Sequence, residues 1–206
     1  TSVSLDMPPS FVALHDAKLD TKDWGTITYD LCFGGIFYAL VDVDQIECRI
    51  EPSQARDLAT FGVHLANLIA ADLAAEGYDV VHPEIPEING LAYVMFRSDD
   101  ADGAIRTCTT LKPGRVDRSP CGTGSNANMA VRLAAGTVSV GDTLISRSII
   151  GGEFTAELLA TRQVGKFTAA QVRISGQAWI YGISQIGLDP TDPFQLGFTL
   201  SDTWGT

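Results

Sequence analysis

The residues best suited to chemistry lie in one block, Asp117-Arg118-Ser119-Pro120-Cys121-Gly122-Thr123-Gly124-Ser125-Asn126. It closes a segment with no helical spacing and opens one that has it. Ala127, Met129, Ala130, Val131, Leu133, Ala134 and Ala135 run ahead of Gly136, which reads as the stop. Proline suits a helix start, and small polar residues after it can cap one, so the block predicts a helix beginning near Cys121. A thiol there faces free amides and the positive end of the helix dipole, and both favour thiolate. Gly122, Thr123 and Gly124 leave their N–H groups unobstructed, so a carboxylate can dock on the backbone beside the sulfur. Asp117 adds a carboxylate able to hold a cationic nitrogen, or simply a turn. Residue types alone favour the plainer alternative: a lone cysteine near a helix start is usually a small buried apolar residue, and Gly-Thr-Gly is a weak signal.

The elements that must position this block are legible in outline. Pro52 to Ala75 is the clearest helix, with Ala55, Leu58, Ala59, Val63, Ala66, Leu68, Ile69 and Leu73 at helical spacing and Gly77 ending it. Ser2 to Leu14 reads as strand interrupted by Pro8 and Pro9. Two strand-like runs flank Gly34-Gly35 between Trp24 and Val43, and shorter ones fall at Leu91–Phe96 and Ala104–Thr110. Asp99 to Gly103 reads as a solvated hairpin turn, because it lacks the later ligands of a calcium loop. After the Cys121 helix come strand-like runs at Thr143–Ile150, Phe154–Leu159 and Ala170–Gly182, then an ordered tail over Asp189–Phe198. Strands, helix, strands, helix, strands is an α+β pattern with a largely antiparallel or mixed sheet.

Composition narrows the class. With 206 residues, 45% apolar content and 20 glycines, the chain reads as one or at most two globular domains. A net charge of −11 with no Lys/Arg cluster argues against nucleic acid or an anionic membrane as partner. Cys32, Cys48, Cys108 and Cys121 show no Cys-x-x-Cys spacing, and His15, His64 and His82 are scattered, so no metal site is expected. Reduced thiols and a cytoplasmic location are the expectation. No apolar run reaches the roughly 18 residues of a membrane span.

The Asp117–Gly124 block resembles the second-cysteine signature of the proline racemase family, which includes proline racemases, 4-hydroxyproline epimerases and trans-3-hydroxyproline dehydratases. Asp30-Leu31-Cys32-Phe33-Gly34-Gly35-Ile36-Phe37-Tyr38-Ala39 is similar to a second family segment. Ser148-Ile149-Ile150-Gly151 and Asp189-Pro190-Thr191-Asp192-Pro193-Phe194, followed by Gly197-Phe198, follow in the family's order. The resemblance implies a diaminopimelate-epimerase-like fold, a sheet wrapped around a central helix that would start at Cys121. The small residues of Ala127–Ala135 would then let strands approach. It implies cofactor-independent proton transfer at the α-carbon of proline or a hydroxyproline. Such inversion needs an acid/base on each face of the carbon. Cys121 would be one, the amides of Gly122 and Thr123 would stabilise the substrate carboxylate, and Asp117 would contact the imino nitrogen.

The other acid/base belongs, by the same resemblance, to an upstream first domain. Residues 1–186 are thus expected to form a second, C-terminal catalytic domain, and 187–206 a tail that packs on the missing first domain. A homodimer is left open. Cys32 stands where the family usually has alanine and reads as a small buried residue. Ser125-Asn126, Ile36, Tyr93 in place of a strand histidine, and Leu111 in place of an aromatic depart from the usual pattern. They weaken a strict proline racemase or 4-hydroxyproline epimerase assignment and keep a 3-hydroxyproline dehydratase open, while Cys121 itself favours two-base chemistry. The reading from another class is a non-catalytic half-enzyme that binds small carboxylates.

Overall fold

The computed structural model describes residues 1–199. Ten strands and two α-helices follow one another as β1 (Ser2–Asp6), β2 (Phe11–Thr21), β3 (Gly25–Phe33), β4 (Phe37–Asp42), α1 (Ala55–Ala75), β5 (Leu91–Asp99), β6 (Ile105–Leu111), β7 (Arg115–Val116), α2 (Gly122–Ala134), β8 (Thr143–Ser148), β9 (Glu153–Val164) and β10 (Phe167–Gln177). All lie in one mixed sheet of order β1-β10-β9-β8-β6-β5-β4-β3-β2, with β7 added on β6. The β4/β5 and β6/β8 pairs are parallel and the others antiparallel.

The two ends of that order are consecutive in sequence, and this closes the sheet. After β1 the chain stays on β10 through Met7 N–H to Val172 O (2.8 Å) and a two-way bridge between Ser10 and Ala170. It then crosses as β2 onto β3. Pro8 and Pro9 sit at the crossing, where a missing N–H interrupts no ladder. The closed sheet wraps α2, which packs on β2, β3, β4, β9 and β10, while α1 lies outside on β5, β6 and β7.

Period-2 alternation on the central strands sorts the two cores. Ile27, Tyr29, Leu31, Ala39, Val41, Val94 and Phe96 point outward to Leu58, Leu65, Ile69 and Leu73 of α1. Cys32, Tyr38, Leu40 and Met95 point inward to Cys121 and Ala127. Strands buried on both faces read as continuous apolar runs, as β4 does from Phe37 to Val41. By length and hydropathy alone Pro52–Ala75 would pass for a membrane span. Its buried stripe of core leucines and isoleucine instead assigns it to the sheet.

One inward polar group is an exception. Asp30 is 2% exposed, and it accepts bonds from Arg97 (2.8 Å), the amide of Asp16 (3.1 Å) and the His15 ring (2.6 Å). Arg97 also binds Asp42 at 2.7 Å. His15, Asp16 and Asp30 bring three ligand-type groups together, but both Asp30 oxygens are already engaged. Burial pushes the Asp30 carboxyl up, yet the Asp16 amide, His15 and Arg97 outweigh it and hold it below the usual range. The hydrogen bond to Asp30 raises His15. Asp30 therefore contributes stability above its unfolded pKa of about 3.9, lost as pH falls through the lower folded value. His15 contributes below its unfolded pKa of about 6.5, lost as pH rises through the raised folded one. Both contributions are complete only between about pH 4 and 6.5. Urea unfolding of His15→Gln should remove part of the decline between pH 6 and 8 seen in the parent. Asp30→Asn, which leaves the largely buried Arg97 with Asp42 as its one carboxylate, should lower stability by about 2 kcal/mol at neutral pH.

The acids of the β5–β6 turn are also paired. Asp99 meets Arg132, Asp100 meets Arg106 (3.0 Å) and Arg147 (2.5 Å), and Asp102 meets Arg147 (3.1 Å). The Asp99–Gly103 segment is thus the turn between β5 and β6, its carboxylates neutralised by arginines.

Sequence reading placed the end of the last strand at Gly182, whereas β10 stops at Gln177. Trp179, Ile180 and Tyr181 favour strands, but no neighbour is there to pair with them and they are exposed. From Ala178 to residue 199 the chain runs outside the sheet, carrying exposed Ile183, Ile186, Leu188, Phe194, Leu196 and Phe198. Only short turns at Asp189–Asp192 and Phe194–Gly197 order it. Residues 200–206 of the expected tail lie outside the described residues.

Candidate active site

The helix foreseen near Cys121 starts at Gly122, with Cys121 as its N-cap. The N-cap backbone has φ 65 and ψ 109, a conformation that L-residues rarely adopt. No side chain caps the helix, so the amides of its first turn keep their hydrogens free. The loop before it is locked by short-range bonds. Ser119 N–H donates to Asp117 Oδ1 (2.8 Å), and Cys121 N–H donates to Ser119 Oγ (3.1 Å). Thr107 Oγ1 donates to the Pro120 carbonyl at 3.1 Å. Asp117 thus builds the loop that delivers Cys121. Among the described residues its second carboxylate oxygen carries no hydrogen bond.

The close approach of α2 to the sheet is made by Gly34 and Gly35. A Cβ on Gly34 would lie 2.0 Å from the Thr123 carbonyl oxygen and 2.9 Å from the Ala127 nitrogen. Gly35, at φ 133, lies under the Thr123 side chain. Asn126 fastens this contact from inside, donating to the carbonyls of Gly34 (3.0 Å) and Pro8 (2.8 Å). The Gly-Gly pair is therefore the seat of α2's first turn.

Gly122 and Thr123 form one rim of a groove of about 550 Å³, otherwise lined by Val3, Leu5, Met7, Phe154, Ile174, Gly176, Gln177 and Ala178. Cys121 does not line it. Its sulfur turns inward, 3.4 Å from Tyr38 Oη and 3.7 Å from Thr123 Oγ1. Arg118, the neighbour of Asp117, makes no bond to it among the described residues and lines a separate surface cavity with Arg56, Arg115 and Ile150.

The four cysteines are all free. Cys32 belongs to the same inner cluster as Cys121 but is fully buried. Burial, then Asp30, raise its thiol well above the ordinary value. Burial pushes Cys108 up to about 12, with Asp117 adding to it. Cys48 is raised as well, by burial and then Asp57. A thiol held protonated is a poor nucleophile and base, and of the four only Cys121 stands at a helix N-terminus. Sequence reasoning missed Tyr38 and Asn126. Tyr38 lies within the quoted Asp30–Ala39 segment, but nothing in that segment tells which helix its inward face meets.

Residues 1–199 match the family described as Proline racemase. The chain belongs to the proline racemase family. The fold agrees: a mixed sheet around a central helix, as solved members of the family have. A probable proline racemase from Agrobacterium radiobacter, with bound carbonate, superposes with TM-score 0.84 at 53% identity, covering 100% of this chain and 59% of that one. A hydroxyproline epimerase from Agrobacterium vitis, with bound trans-4-hydroxy-L-proline, gives TM-score 0.83 at 51% identity, covering 99% and 58%. The relative named 4-hydroxyproline 2-epimerase in Agrobacterium fabrum is 52% identical over 203 residues, 98% of this chain and 57% of its own length. The chain therefore spans little more than half the length of the family members it matches.

Proposed function

We propose that this chain supplies one half of an epimerase site that moves the α-proton of 4-hydroxyproline or proline, with Cys121 as the acid/base on one face. The observation that carries the reading is Cys121 as the N-cap residue of α2, whose N-terminus no side chain caps. Free amides there favour an anion. The amides of Gly122 and Thr123 would take the substrate carboxylate and stabilise the charge that spreads onto it as the α-proton leaves. The unpaired oxygen of Asp117 would take the imino nitrogen. This chemistry asks for no cofactor, since the electron pair left on the α-carbon delocalises into a carboxylate held by hydrogen-bond donors.

The opposite face needs a second acid/base. Cys32, Cys48 and Cys108 are held protonated, so we place that group on a first domain outside this chain, in keeping with the longer relatives. The apolar tail from Ala178 onward, residues 187–206 included, would pack on that domain and help exclude water from the site. The relatives named as 4-hydroxyproline 2-epimerases support epimerisation over dehydration, in which a 3-hydroxyl leaves after the same proton is removed.

The test is exchange of the α-hydrogen in heavy water, with trans-4-hydroxy-L-proline and L-proline as substrates. These 206 residues alone should show no exchange and no enantiomer formation. The chain joined to its first domain should show both, without a pyrroline product. Turnover by a preparation shown by mass to hold only these residues would overturn the half-site reading. A pyrroline product from the longer protein would move it to the dehydratases.

A further inference from the structure

Tyr38 reaches Cys121 from the opposite wall of the closed sheet. Its Oη lies 3.4 Å from the sulfur and 2.7 Å from Thr123 Oγ1, which is itself 3.7 Å from the sulfur. The ring is 1% exposed, packed among Cys32, Leu40, Met95 and Ala127 and tilted against Tyr93. A buried phenol seeks a hydrogen-bond partner, and the partners present are one hydroxyl and one sulfur. We infer that Tyr38 is a positioning residue for the Cys121 sulfur, forming with Thr123 a two-hydroxyl relay that reverses direction with the sulfur's proton. The inference rests on the reading of Cys121 as an acid/base.

Each hydroxyl has one proton to give and lone pairs to accept. Beside a thiolate, Thr123 donates to Tyr38 Oη and Tyr38 donates to the sulfur. Beside a thiol, the S–H donates to Tyr38 Oη and the phenol proton turns to Thr123 Oγ1. In the second state the Thr123 hydrogen faces the sulfur, 3.7 Å away, so both states place every polar hydrogen without moving a heavy atom. An acid/base that starts from either enantiomer has to be accommodated in both states. Tyr38 keeps its own proton throughout, because burial and then the neighbouring sulfur raise the phenol far above its ordinary value. It supports the anion without competing for the substrate's proton.

The experiment is iodoacetamide labelling of this chain at fixed neutral pH, read by mass at each cysteine. Cys48 is the internal standard, since it is 9% exposed against 8% for Cys121. In the parent, Cys121 should label faster than Cys48. Tyr38→Phe keeps the ring and removes the hydroxyl. Loss of a hydrogen bond to an anion lowers the thiolate fraction, partly offset by the greater intrinsic nucleophilicity of the less stabilised sulfur. Cys121 labelling should therefore slow about fivefold to tenfold relative to Cys48, and the thiolate ultraviolet absorbance should fall with it. Thr123→Val should slow it less, and Thr123→Ser should restore the parent rate. A purely structural role predicts the opposite sign: a loosened core would speed Cys121 and begin to label Cys32 and Cys108. That result, or no change in Tyr38→Phe, would overturn the relay while leaving Cys121 reactive. Parent Cys121 labelling no faster than Cys48 would instead remove the acid/base reading, and the relay with it.

Discussion

Gly34→Ala is expected to unseat α2 and lower stability by at least about 3 kcal/mol. The added methyl carbon would stand 2.0 Å from the Thr123 carbonyl oxygen, and backbone is the neighbour least able to yield. Thr123 lies in the first turn of α2, where neighbouring residues are fixed by helix hydrogen bonds and by Asn126. Relief requires α2 to retreat from the sheet, which would break the Asn126 bonds and draw Thr123 away from Tyr38. Urea unfolding with circular dichroism should show an early, less cooperative transition. Gly136→Ala is the control. Gly136 follows the C-terminus of α2, at φ 68, and nothing lies within 4 Å of its added carbon, so only the left-handed backbone penalty of about 1 kcal/mol applies. Equal losses in the two variants would show that Gly34 is not the seat of α2.

Cys121→Ser, made in the chain joined to its first domain, is expected to reduce interconversion of enantiomers by about a thousandfold or more while leaving the fold intact. The swap changes little in volume, and serine keeps the backbone bond from residue 121 to Ser119 Oγ. A hydroxyl, however, is far too weak an acid to supply an anion at neutral pH without a base of its own. The stereospecific assay should be paired with the unfolding midpoint, so that lost chemistry and lost structure separate. Cys32→Ala is the matched comparison. It empties a site in the same inner cluster and should lower stability with little loss of turnover per folded molecule. Full epimerase activity in Cys121→Ser would exclude the thiol from proton transfer.

How much of this was legible in the sequence depends on the range of the interaction. Local signals were clear. The helical spacing of Leu58, Ile69 and Leu73, the Gly77 stop, the Asp99–Gly103 turn and the helix start after Pro120 all became elements within a few residues of their expected place. The Gly-Gly pair was visible, but not its purpose, because the Thr123 carbonyl it accommodates is supplied by another element. The two strand-like runs around Gly34-Gly35 became β3 and β4, and alternation sorts their faces once the strands are placed. It could not reveal that Ser10 would meet Ala170 and close the sheet, because apolar alternation says nothing about which strand comes alongside. The Tyr38–Cys121 contact was hidden for the same reason, since it exists only once the wall has curved around α2. The overlong final strand has the complementary cause. Trp179, Ile180 and Tyr181 have the propensity for a strand, and propensity without a partner leaves them in solvent.

The pairing of β1 with β10 has a mechanical consequence. Thr1 and Ala178 exchange hydrogen bonds, N–H to O, at 3.1 and 2.9 Å, and the register continues inward from Ser2–Gln177 to Asp6–Arg173. Tension applied between these two points does not shear the ladder, which would load its bonds together. It peels them one pair at a time, as a zipper opens, and such an edge yields at far lower force. The tear runs toward Met7, whose side chain lies beside Gly122 at the mouth of the groove. A body tethered to both points would transmit its movements to this seam first, and the rim of the groove would feel them before the rest of the sheet did.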